Sequence, residues 1–235
     1  MKRKLLASVT TLLTFVACTP AMGLTDSPAV QSQITIEAAR STNLNKATTI
    51  DSESAEAELD KLPVKGRAPK TGYSRKQFGP AWADTDHNGC DTRNDILQRD
   101  LTNIKTKANG CTVLSGTLVS PYTGETIEFV RGNLTSSLVP IDHVVALSDA
   151  WQKGAQQISA EDRKELANDP LNLIAVDERS NKQKSDADAA SWLPSNKSFR
   201  CEYVTRQIQV KTKYQLWVTS PEKTAMKDVL ATCPR

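Results

Sequence analysis

Histidine is almost absent from this chain of 235 residues, with only His87 and His143 present. Chemistry that needs an imidazole at neutral pH therefore has two candidates. Long apolar runs are also missing: the one hydrophobic stretch, residues 5–17, is too short to span a bilayer comfortably, and nothing after it offers an integral membrane span. Nor is there an internal repeat, which excludes solenoid and propeller architectures. Net charge is missing too, because Lys2, Arg3 and Lys4 account for the whole formal +3. Global basicity thus points to no partner, and a polyanion would have to be held by local patches. No base-reading motif is present either.

The basic residues at 2–4 and the apolar residues 5–17 together form an export signal, assigned to residues 1–17. It ends Phe15-Val16-Ala17-Cys18, which resembles the lipobox of bacterial lipoproteins, with Phe15 in place of the usual Leu. Two products follow: a chain lipid-anchored at Cys18, or a soluble one cut later, near residues 21–23. Setting Cys18 aside leaves Cys90, Cys111, Cys201 and Cys233, an even set suited to an oxidising compartment. Sequence order suggests Cys90 with Cys111 and Cys201 with Cys233, although four cysteines allow three connectivities. Residues 18–61 are assigned as a flexible stalk, polar at first and acidic later, with a short helix over 51–62 that Pro63 stops. The folded domain is assigned to 62–235.

Residues 64–76 carry Lys65, Arg67, Lys70, Arg75 and Lys76 with no acid between them. Such a basic loop is either a solvated surface or a phosphate contact. Asp84, Asp86, Asn88 and Gly89, with Asp95 beyond, approximate a Ca²⁺ loop. The alternative is a polar loop whose Asp and Asn side chains bond their own backbone, pinned at Cys90. Alternating β-branched segments at 111–119 and 125–130 predict a hairpin around Pro121-Tyr-Thr-Gly124. A strand over 138–145, helices over 148–157 and 160–168, a strand over 171–176 and a polar helix beginning near Ser180 within 178–190 follow. The aromatics of 198–218 have helical spacing and fit a core better than a base-stacking platform. A last helix is expected over 222–232.

The chemical content lies in the order Asp142-His143 on a strand, Asn172 on the returning strand, then Asn181 and Lys184 on a helix. This order, with the segment Asp169-Pro-Leu-Asn-Leu-Ile-Ala-Val-Asp-Glu-Arg-Ser-Asn-Lys-Gln-Lys-Ser-Asp186, resembles the HNH or His-Me finger endonucleases. It is similar in particular to secreted bacterial members related to the C-terminal nuclease domain of GmrSD-type restriction enzymes. The resemblance extends from about residue 62 to residue 233. It implies an α+β fold with a ββα-metal core, an N-terminal β-hairpin and surrounding helices. The activity it implies is an exported, divalent-metal-dependent endonuclease that hydrolyses phosphodiester bonds of DNA, with RNA left open, as a monomer.

Within that resemblance His143 is the general base, and Asn172 orients the loop around it. Asp142 and Asn181 hold one Mg²⁺ or Mn²⁺, while Lys184 and Arg179 contact phosphate. Each residue also has a plainer role: a satisfied core histidine, a turn Asn, a helix-cap Asn and a solvated charged face. A long insertion between His143 and Asn172, carrying Trp151, departs from compact HNH motifs and leaves the roles of Asp149 and Asp177 open. The rival from another class is a non-catalytic cell-surface protein that binds calcium at Asp84, Asp86 and Asn88 and holds a polyanion.

Overall fold

The computed structural model describes residues 52–234, so the export signal, Cys18 and the stalk as far as residue 51 lie outside the described residues. The helix before Pro63 is present as α1 (Ser52–Lys61), but it is no stalk. Ala55 and Leu59 are four residues apart and so share one face. Both are buried in a cluster with Tyr203, Val204, Ile208 and Met226. The folded unit includes α1, which lies ahead of the boundary set at residue 62.

The expected hairpin forms as β2 and β3, once α2 (Thr92–Asp100) and β1 (Thr102–Thr106) have been passed. Strands β2 (Val113–Val119) and β3 (Thr126–Val130) pair antiparallel, from Ser115 opposite Val130 to Val119 opposite Thr126. Strand β1 joins them to make a sheet in the order β1-β2-β3. It was not expected, because all its residues are exposed and leave no inside-outside alternation to detect. Ile96 and Leu97 of α2 pack on Val113, Leu118 and Phe129 of this sheet, and in the same cluster meet Ile141, Leu173 and Ala175. Those last three belong to a second, two-stranded sheet.

That sheet pairs β4 (Ile141–His143) antiparallel with β5 (Leu173–Ala175), setting Asp142 opposite Ile174 and His143 opposite Leu173. The chain between them runs through α3 (Leu147–Ala150), a π-helical turn at Trp151–Ala155 and α4 (Ala160–Asn168). The single helix expected over 148–157 is thus broken. Gly154 has φ +126°, a conformation open to glycine, and a Cβ there would meet Leu216 and Trp217 at 3.3 Å.

Helix α5 (Glu178–Lys184) begins on Asp177, whose carboxylate accepts from Ser180 N–H at 2.7 Å and from the Ser120 hydroxyl at 2.8 Å. It ends earlier than expected, at Ser185 with φ +49°. Helix α6 (Arg200–Lys213) and α7 (Ser220–Leu230) close the fold, and α7 opens on a capping box of Thr219 and Glu222. Tyr203, Ile208, Val210 and Leu216 are wholly buried, so the aromatic tail is core. Disulfides join Cys90 to Cys111 and Cys201 to Cys233.

The broken helix sends Lys153 into the interior, where its ammonium meets Asp149 at 2.8 Å, Asp188 at 2.7 Å and Glu222 at 2.7 Å. Lys211 reaches Glu222 at 3.0 Å and Asp149 at 3.4 Å, and Arg67 reaches Asp149 and Asp188. Three carboxylates thus face three cations, and Asp149 is a structural partner. Burial opposes the Lys211 ammonium, yet Glu222 and Asp149 outweigh it and hold its pKa above the usual lysine range. Burial likewise opposes the Asp188 carboxylate, and Lys153 and Arg67 outweigh it in the other direction. By linkage, the stability Asp188 supplies is present above its ordinary pKa and lost in acid, while that of Lys211 is present below its ordinary pKa and lost in strong base.

Replacing Lys153 by Met leaves buried carboxylates short of a cation and should lower the unfolding free energy by about 3–5 kcal/mol in urea titration at pH 7. A loss under about 1 kcal/mol, the scale of a surface pair, would show that the cluster is not cohesive.

Candidate active site

Successive residues of a strand point to opposite faces, and β4 uses this to separate its two chemical groups. Asp142 turns toward the hairpin and α5. Its Oδ2 accepts from the Tyr122 hydroxyl at 2.6 Å and lies 3.0 Å from Lys184 Nζ, which also donates to Oδ1 at 3.2 Å. Burial, then the Asp142 charge, push the Tyr122 phenol well above its usual range, so it remains a donor. His143 turns the other way, and no hydrogen bond joins it to Asp142.

The His143 ring is fixed by the end of α4. Nε2 lies 2.9 Å from the Ala167 carbonyl oxygen. A carbonyl only accepts, so Nε2 carries the hydrogen and Nδ1 keeps its lone pair, with no partner among the described residues. The last carbonyls of a helix have no intrahelical donor; His143 takes one, and Asn172 takes the one before it. Asn172, fully buried, donates from Nδ2 to Leu166 O at 3.2 Å and to Val145 O at 3.3 Å, and accepts from Val145 N–H at 2.8 Å. The insertion therefore supplies the carbonyl that orients the imidazole. Burial pulls the His143 pKa down to about 4, against the opposing pull of the Ala167 bond and Asp142. At neutral pH the ring is uncharged.

A cavity of about 360 Å³ opens beside this pair, lined by Asp142, His143, Ser148, Asn181, Asp186, Lys70 and Arg75 among others. Asn181 and Lys184, three apart on α5, share a face. The structure thus brings Asp142, His143 and Asn181 to one cavity, with Asn172 behind its wall. Two expected phosphate contacts are not where they were sought. Lys184 is completely buried on Asp142 and on the His143 carbonyl, at 2.8 Å, and so is an internal counter-ion. Arg179 is exposed on α5 and lines neither this cavity nor the apolar one on the other side of His143.

The cations at the cavity come instead from the basic loop, as Lys70 and Arg75. Lys70 is paired with Asp186 at 2.9 Å, and Asp186 also accepts from Ser148. The loop was singled out in the sequence, but Tyr122, Ser148 and Asp186 were missed. A Tyr in the turn of a hairpin carries no signal of its own.

As metal donors, Asp142 and Asn181 offer two oxygens to one cavity. The Asp142 carboxylate has about four lone-pair sites, and Tyr122 and Lys184 do not exhaust them. No group of three or more His, Cys, Asp or Glu able to hold a metal occurs among the described residues. Two protein oxygens alone would suit only a cation that keeps most of its water, as Mg²⁺ does. The loop at 84–95 is folded on itself: Asp84 accepts from the Asn88 and Gly89 N–H groups, and the Asn88 side chain bonds Asp86, Asp95 and the Cys90 N–H. Such side-chain-to-backbone bonds are what the polar-loop alternative expects of this segment.

An imidazole with one nitrogen unclaimed among the described residues stands beside a polar cavity with basic residues on an α+β domain. The model of the family "GmrSD restriction endonucleases, C-terminal domain" matches residues 91–229, and the chain belongs to that family. It is also 38% identical over 207 residues to an "Uncharacterized secreted protein" of Arthroderma benhamiae, covering 87% of this chain and 97% of that one. The bacterial branch finds no support in this relative. No solved structure matches the chain.

If Lys184 is the counter-ion of Asp142, Lys184→Met should cost about 3–5 kcal/mol of stability, because it strands a buried carboxylate. The double change Lys184→Met with Asp142→Asn should cost much less than the sum. A stable Lys184→Met protein defective only in substrate binding would return Lys184 to phosphate contact.

Proposed function

We propose that this chain is an exported, divalent-metal-dependent endonuclease of the HNH type, in which β4, β5 and α5 form the ββα-metal core. The observation that carries it is His143: uncharged, with Nε2 spent on Ala167 and Nδ1 open. Membership of a restriction-endonuclease family supplies the substrate class, a nucleic acid, with DNA first.

In this reading His143 Nδ1 takes the proton of a water that attacks the phosphorus in line. Arg75 and Lys70 attract and hold the anionic backbone. Asn172 and Ala167 keep the imidazole aimed throughout, and Tyr122 and Lys184 hold Asp142 in place. A Mg²⁺ or Mn²⁺ held by Asp142 and Asn181 would neutralise charge on the phosphate and on the departing 3′ oxygen. An anionic phosphate entering the cavity would raise the low imidazole pKa toward the range where a base is effective.

Export is supported by the leader at 1–17, by two disulfides of a kind that persist in oxidising compartments, and by the name of the Arthroderma benhamiae relative. Among the described residues no helix is long and apolar enough to cross a membrane. Lipid attachment at Cys18 remains the alternative to soluble release.

Plasmid DNA incubated with the purified chain and Mg²⁺ or Mn²⁺ should be nicked, and EDTA should stop it. His143→Ala should lower the rate by about 10²–10⁴-fold, the usual worth of a general base, without lowering the melting temperature to the assay range. Metal-independent nicking, or full activity in a folded His143→Ala protein, would reject the mechanism.

A further inference from the structure

A second cavity, of about 210 Å³, lies against His143 and is walled by Phe78, Pro80, Ala81, Trp82, Leu147 and Ala167. Arg75, Leu147 and His143 line both cavities, so the imidazole stands where a polar chamber meets an apolar one. We propose that the apolar cavity receives one unstacked nucleobase of the nucleotide at the scissile phosphate, and that the enzyme therefore acts on single-stranded or locally unpaired nucleic acid. This rests on the nuclease reading and names its substrate more narrowly.

Size is the first support. The cavity is smaller than the roughly 300–1,000 Å³ that holds a drug-sized ligand, which leaves room for a single flat ring system and none for a base pair. A base entering it must leave its stack, at a cost that is least when the base is already unpaired.

The wall chemistry is the second support. Trp82 is half-buried with φ +60°, a region that bulky side chains rarely adopt and that the surrounding fold must impose. Its ring lies 6.5 Å from the His143 ring, with the planes 15° apart. Trp151 and Trp217 each donate their indole N–H to a backbone carbonyl, at 3.3 Å and 3.0 Å. The Trp82 indole has no hydrogen-bond partner among the described residues, so nothing but packing claims it. Arg75 and Lys76 at the same cavity supply the charge that phosphates on either side require. Aromatic stacking plus flanking cations is the general chemistry of single-strand binding.

The test is fluorescence anisotropy in EDTA with the purified chain and one labelled oligodeoxynucleotide, first single-stranded and then fully paired, at one fixed salt concentration. Cleavage of both forms in Mn²⁺ is measured in parallel. The single strand should bind about tenfold tighter than the duplex, and Trp82→Ala should erase most of that margin while Trp82→Phe keeps it. Cleavage rates should follow the same order. Duplex and single strand bound and cut alike, or a folded Trp82→Ala protein with unchanged affinity, would overturn the inference and leave the nuclease reading standing. Should Trp82→Ala fail to fold, the comparison of strands on the unaltered chain decides alone. No metal-dependent cleavage of either form would reject the nuclease reading itself, and this inference with it.

Discussion

The buried pair of Lys184 and Asp142 is the constraint on which the rest of this site depends. Each group alone would be costly to remove from water, and together they are tolerable because Tyr122 and the His143 carbonyl satisfy what the pair leaves over. One ammonium thereby fixes α5 against β4 and sets the register between a helix that carries Asn181 and a strand that carries Asp142 and His143. A carboxylate held this way is immobile before any ligand arrives, which is what a site must be if it is to cost no reorganisation during reaction. The same arrangement explains why α5 is short. Beyond Lys184 the chain turns at Ser185 so that Asp186 can reach Lys70 and Ser148, and Asp188 can reach Lys153 and Arg67.

The second constraint is the end of α4. The insertion between His143 and Asn172 departs from compact HNH motifs, and its helix provides two carbonyls whose orphan state is resolved by the site's own side chains. Fold and chemistry meet there. The bonds that complete a helix terminus also select the tautomer of the base. The ionic cluster around Lys153 anchors the start of the same insertion to α6 and α7, so the histidine's support is tied to the core at both ends.

Much of this was legible in the residues. Asp142, His143, Asn172 and Asn181 are picked out by their match in type and order to the family they resemble, and the hairpin, α4, α6, α7 and the two disulfide pairings follow from periodicity, turn chemistry and sequence order. What could not be read is direction. A lysine on a polar helix looks solvated, and only the three-residue spacing from Asn181 hinted that Lys184 shares the inward face. Arg75 and Trp82 reach the site from a loop whose course no periodicity predicts. Strand β1, exposed throughout, had no buried partner to write a pattern into its sequence. The stalk boundary was misjudged because two small apolar contacts, Ala55 and Leu59, decide it.

The central claim is that His143 stands as an uncharged imidazole with Nδ1 free to accept a proton. Nitrogen-15 NMR of the two imidazoles at pH 7 tests this directly, with exposed His87 as internal reference. One ring should show the neutral tautomer protonated at Nε2, with the shift of an unprotonated Nδ1, and it should vanish in His143→Ala. A His143 ring found as imidazolium, or protonated at Nδ1, would contradict the account.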